Sequence, residues 1–143
     1  MTFLGITKRR KPVEKYEKRK LGFNEIKIFE EFLEEIKVLR ENIGIKFVFI
    51  EDGWGKEEIL RGRVSYMGNL VLAPNYVALL SEVKEGYISN AAYILEQIML
   101  KAVELNVGSC WIFVEKDADR LKTDLGVNAP GELTAMIALG YPK

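Results

Sequence analysis

The chain has 143 residues, 48% of them hydrophobic and 29% charged, and its 21 basic side chains are balanced by 21 acidic ones. That length can bury the core of one domain, expected to span residues 1–143, and the charge balance removes any global pull toward nucleic acid. Histidine is absent and Cys110 is the one cysteine, which excludes Ser-His-Asp and Cys-His catalysis, imidazole metal sites, an internal disulfide and a two-thiol redox pair.

No apolar run approaches the roughly 18 residues that cross a bilayer. The first residues place their charges after a short apolar stretch, the wrong order for a signal peptide. A cytoplasmic protein without a membrane partner is the expectation. Charge is nevertheless uneven: from Lys8 to Lys20 there are eight basic residues against Glu14 and Glu17. This segment reads either as a solvated arm beside an acidic helix or as an anion site. It has little aromatic interleaving beyond Tyr16, so no nucleic-acid partner is expected.

Asn24 is a candidate N-cap for a helix carrying Ile26, Phe29, Phe32, Leu33, Ile36, Leu39 and Ile43 on one stripe, ended by Gly44. Ile45 to Ile50 is β-branched and aromatic, hence a strand. Asp52 to Gly55 makes a turn, and Lys56 to Arg63 a short helical or irregular connector. Gly68 and Pro74 interrupt any long element between Tyr66 and Pro74. Tyr76 to Ser81 is a second buried strand. The helix from Ser89 to Val107 places Ala91, Ala92, Leu95, Ile98, Met99, Ala102 and Val103 on its apolar stripe. The small residues early in that stripe predict close packing against another helix, within the chain or across a dimer. Gly108 is expected to close the helix in the left-handed conformation. Ser109 to Val114 forms a strand, Lys116 to Gly126 a brief helix with Asp117 as N-cap or first-turn carboxylate, and Thr134 to Pro142 a last strand. Strands alternating with helices predict an α/β or α+β sandwich.

Three suggestive features carry no chemistry. Gly53 to Lys56 lacks the spacing of a phosphate loop, and Glu57 stands where a Mg²⁺-binding hydroxyl is needed. Asp117, Asp119 and Asp124 lack the glycine and terminal glutamate of a calcium loop. Cys110, inside an apolar strand, reads as a small core residue.

The order of elements from Asn90 to Pro142 resembles the C-terminal half of the FMN-dependent nitroreductase family. The resemblance is carried by Gly108-Ser109-Cys110-Trp111-Ile112 at one junction and Ala138-Leu139-Gly140-Tyr141-Pro142 at the end. It implies an α+β fold, a nitroreductase-like three-layer α/β/α sandwich with a mostly antiparallel central sheet. It also implies a homodimer with FMN at the subunit interface, NAD(P)H as electron donor and a small nitro, quinone or enone molecule as acceptor. A flavin suits a chain without histidine, because the cofactor brings the redox chemistry.

The family's Arg-Arg-Ser-[Val/Ile]-Arg-x-[Tyr/Phe] motif is matched by Lys8 to Tyr16, aligned on Val13 and Tyr16. The resemblance makes Arg9, Arg10 and Lys11 candidates to grip the FMN phosphate and ribityl chain. Trp111, Ile112 and Phe113 fall where relatives lay backbone along the flavin ring, and would flank it. No catalytic side chain and no metal ligand are implied. Pro12 replaces the motif's serine, removing a hydroxyl and a backbone donor. Glu14 replaces a basic residue. The Pro-Ser-x-x-Asn-x-Gln-Pro loop of ordinary members is missing, and the sequence stops at Lys143, where relatives continue into an arm with a further basic contact. These departures keep a second reading open: a non-catalytic binding or dimerisation module of this fold that has lost FMN, in a compact variant or a fragment of a longer protein.

Overall fold

The structure, a computed structural model, describes residues 11–143. Arg9 and Arg10 lie outside the described residues. Strands β1 (Ile45–Ile50), β2 (Val64–Ser65), β3 (Asn75–Ser81), β4 (Gly108–Val114) and β5 (Glu132–Gly140) form one sheet in the order β1-β3-β5-β4-β2. Each of its pairings is antiparallel. The helices are α1 (Phe23–Glu34), α2 (Glu57–Leu60), α3 (Tyr87–Glu104) and α4 (Ala118–Asp124).

Every residue of β3 is buried, the pattern of a strand covered on both faces. Its alternation sorts the core into two layers. Tyr76, Ala78 and Leu80 join Cys110, Ile112, Met136 and Ala138 under Leu60 of α2 and Leu121 of α4. Val77 and Leu79 join Ile137 and Leu139 under Phe29 and Leu33 of α1 and the apolar stripe of α3. Helix layers on both faces of an antiparallel sheet give the three-layer α+β sandwich expected from the sequence.

Four of the five strands fall where β-branched and aromatic runs placed them; β2 is not expected from the sequence and is held by its pairing with β4, and the helix ends differ. Helix α1 begins at Phe23 with Gly22 at its N-cap, so Asn24 lies inside it, and it stops at Glu34, nine residues short of Ile43. Side chains from α3 supply the reason. Asn90 Oδ1 accepts the N–H groups of Leu39 at 2.8 Å and Arg40 at 3.0 Å. Gln97 accepts the N–H of Lys37 and donates to its carbonyl. Backbone groups that a helix would have paired internally find partners across the layer instead. At the end of α3 the left-handed residue is Asn106, with φ 59°, and Gly108 opens β4. Asp117 occupies the N-cap of α4 but makes no side-chain capping bond.

The amino-terminal segment straps the sheet's end. Pro12 bridges Ser109 and Tyr16 bridges Pro142. Val13 N–H donates to Ser109 at 2.9 Å, Glu17 N–H to Tyr141 at 2.8 Å and Lys143 N–H to Lys15 at 3.1 Å. Beneath the strap, Gly108 and Gly140 face each other across β4 and β5, and the Tyr16 ring lies on both. A Cβ on Gly108 would stand 3.2 Å from Tyr16 Cε1, and one on Gly140 2.9 Å from Tyr16 Cδ1 and 2.8 Å from Pro74 Cδ. Gly108 is therefore small to admit the strap, not to end a helix. A Gly140→Ala variant is expected to lose about 1–3 kcal/mol from overpacking, read as a lower urea midpoint with an unchanged slope. An unchanged midpoint would show that the Tyr16 contact is loose.

Candidate functional site

Between the strap and the segment leading into β3 lies an open cleft of about 550 Å³, lined by Glu14, Lys15, Tyr16, Trp54, Asn69, Leu70, Leu72 and Lys143. Lys15 and Lys143 meet there because the backbone bond between them joins the strap to the residues after β5. Trp54 begins a 3₁₀ turn, Trp54–Lys56. Its position is fixed by Gly53, whose N–H donates to Pro74 at 2.9 Å. A Cβ on Gly53 would run into the Ala73 carbonyl and the Tyr76 ring. Tyr76 sets the far wall: its hydroxyl donates to the Val71 carbonyl at 2.7 Å and accepts from Ala73 N–H at 3.1 Å.

The cleft thus combines two ammonium groups, one carboxylate, one amide and an apolar wall. Lys18 Nζ stands 5.8 Å from the centroid of the Trp54 ring, a cation–π contact that holds a third cation nearby. Trp54 Nε1 is buried without an acceptor among the described residues, and so is the Tyr16 hydroxyl. An unpaired buried donor is costly, and an acceptor on a ligand entering beside Trp54 would relieve it. Ammonium groups, a free indole donor and leucine walls suit a planar molecule carrying an anionic tail.

Tyr16 is held above the usual tyrosine range by burial and by the nearby Cys110. Cys110 is fully buried, and burial, with Glu14, pushes its thiol up to about 12. Tyr76 is also raised, by burial, against the bond from Ala73 N–H. These groups stay protonated near neutrality and supply neither a nucleophile nor a base. Among the described residues no cluster of acidic or cysteine side chains could hold a metal ion.

The residues singled out from the sequence are spread around this cleft. Lys11 lies on the strap but lines a smaller depression of about 150 Å³ with Val13, Asn106, Ser109 and Pro142. Trp111 and Phe113 stack on each other, centroids 5.2 Å apart at 24°. Both stand on the sheet face covered by α1 and α3, whereas Ile112 points into the opposite core. The strap and β4 do meet, at Ser109, but the aromatic side chains that line the cleft are Tyr16 of the strap and Trp54. The sequence held a signal for it: an indole between two glycines in a polar turn has no evident place in a core. Asn69, Leu70, Leu72 and Lys143 carried no local signal.

The family described as "Putative TM nitroreductase" matches residues 4–143. A search of curated proteins returns no match. Among solved structures, a nitroreductase family protein from Clostridium novyi NT superposes with a TM-score of 0.80 at 20% identity, covering 100% of this chain and 86% of its own. An FMN-dependent nitroreductase from Clostridium difficile R20291 gives 0.80 at 19%, covering 99% and 88%. A nitroreductase with bound FMN from Bacteroides fragilis NCTC 9343 gives 0.75 at 20%, covering 98% and 88%. At these identities the three structures establish a shared fold.

The buried protonated groups set the alkaline limit of stability. For each, the folded chain binds a proton more tightly than the unfolded chain; the Cys110 contribution is complete below pH 9 and is lost as pH rises from about 9 toward 12, and those of Tyr16 and Tyr76 are lost at higher pH. The urea midpoint is expected to fall between pH 8 and pH 10.5, and to fall less in Cys110→Ala. An equal fall in both proteins would remove Cys110 from this account.

Proposed function

The chain belongs to the nitroreductase family, and from that premise we propose that it is an FMN flavoprotein oxidoreductase carrying electrons from NAD(P)H to a small organic acceptor. The observation that carries this reading is the cleft beside the strap, where Lys15, Lys143, Asn69 and Trp54 converge above leucine walls. Its volume of about 550 Å³ lies inside the range of cofactor sites. When bound, FMN supplies the redox chemistry.

This chain's residues bind and orient. Lys15 and Lys143 offer two positive charges to a phosphate dianion, and Lys11 extends the cationic strap; Arg9 and Arg10 of the family's motif are proposed to add to that charge. Trp54 Nε1–H and Asn69 offer hydrogen bonds to a polar ring edge, while Leu70 and Leu72 keep water from its apolar side. Trp111 and Phe113, on the other face of the sheet, would meet a flavin held by a second subunit. Helices α1 and α3 expose Phe23, Ile28, Ile88 and Tyr93, an apolar surface suited to a homodimer. Glu14 opposes the phosphate and sets the affinity below what the lysines alone would give.

Protein purified without added cofactor is expected to be yellow, to release FMN on denaturation and to sediment at twice its chain mass. Lys143→Ala is expected to weaken FMN binding about tenfold and Glu14→Gln to strengthen it, both read by fluorescence quenching of added FMN. A colourless protein that takes up no FMN contradicts the flavin reading and leaves the binding-module alternative.

A further inference from the structure

We propose that Met67 is an apolar contact for a neutral planar acceptor, such as a quinone ring, at the edge of the cleft; the role as acceptor contact rests on the redox reading above. Tyr66 and Asn69 exchange two backbone hydrogen bonds, both 2.9 Å. They enclose a two-residue loop in which Met67 has φ 52° and Gly68 φ 83°. A loop with both central residues left-handed favours Asn-Gly or Asp-Gly. Among the described residues, the other non-glycine positions with positive φ are Asn106 and Asp117, residue types that tolerate it. Methionine does not share that tolerance.

This side chain is left 78% exposed, outside both core layers. A strained backbone under an unburied apolar side chain is the combination that persists where a ligand uses it. The place agrees. Asn69 closes the loop and lines the cleft, followed by Leu70 and Leu72 on the same wall. A thioether is flexible and polarisable and favours contact with aromatic rings. Leu70 and Leu72 form an uncharged wall next to the loop that carries Met67, which suits a neutral ring and leaves an anionic group to Lys15 and Lys143.

The test titrates menadione, a neutral quinone, into protein carrying ¹³C-methyl methionine, with and without FMN. Met99 and Met136 are buried, and the Met67 methyl signal is assigned by its loss in Met67→Asn. Menadione is expected to shift that signal. Met67→Asn is expected to raise the urea midpoint, by relieving the turn, yet to loosen menadione about fivefold, while Met67→Leu stays within about twofold of the parent. A merely structural Met67 would give the gain in stability without the loss in binding. The proposal is overturned if Met67→Asn binds menadione as tightly as the parent, if the Met67 methyl does not move, or if the parent binds none. The flavin spectrum of the same samples reports separately on the redox reading. A protein that takes up no FMN but shows Met67-dependent menadione binding loses that reading and keeps the contact.

Discussion

Tyr16 lies across two glycines that face each other on β4 and β5, and the cleft exists because nothing larger stands beneath that ring. The contact ties three distant parts of the chain together: the basic segment near the amino end, the start of β4 and the residues after β5. A Cβ on either glycine would press on the strap or its neighbours, at 3.0–3.2 Å for Gly108 and 2.8–2.9 Å for Gly140, beside the backbone bond that brings Lys15 and Lys143 to one wall. The phenol is 2% exposed, so the strap is anchored by burial as well as by hydrogen bonds, at roughly 1.5–3 kcal/mol for a buried aromatic side chain. Cations carried by a loose arm would pay in entropy for every ligand bound; cations carried by a fixed strap are already in place.

Charge within the cleft is mixed, and that is where this chain departs from the family's motif. Glu14 lies among the lining residues with Lys15 and Lys143. A carboxylate there reduces the attraction to a phosphate without abolishing it, since two lysines and the nearby Lys18 outnumber it. Pro12, in the serine's place, forms its bridge to Ser109, and its neighbour Val13 makes the hydrogen bond that holds the strap to β4. The motif's hydroxyl is lost, and the path of the backbone is kept.

Much of the fold was legible because its signals are local. Ile45 to Ile50 and the segments around Tyr76 and Cys110 read as strands from composition, and the structure places strands there. The end of α1 was not legible, since it depends on Asn90 and Gln97, more than fifty residues away. A glycine after a helix usually closes it, so the sequence points Gly108 to a helix end; what keeps it small is the long-range approach of Pro142, Val13 and the Tyr16 ring. The site divides in the same way. The cationic strap could be read from the run of basic residues and its likeness to a known motif. Trp111, Ile112 and Phe113 are grouped by the resemblance, which lays this segment along a flavin ring; as consecutive strand residues their side chains point to opposite faces, with Ile112 in the other core layer. Trp54, Asn69 and Lys143 converge only through strand pairing and the closing bonds around Tyr76.

The protein contains two tryptophans, and the indole N–H of each is buried without an acceptor among the described residues, so their two resonances report independently on the cleft and on the opposite face of the sheet. An FMN titration followed by ¹⁵N–¹H correlation spectroscopy tests the account most directly. The Trp54 indole signal is predicted to move with saturation, and the Trp111 signal to move with it as the flavin of a second subunit meets that face. A shift confined to Trp111, or no shift in either, would contradict the placement of the cofactor beneath the strap.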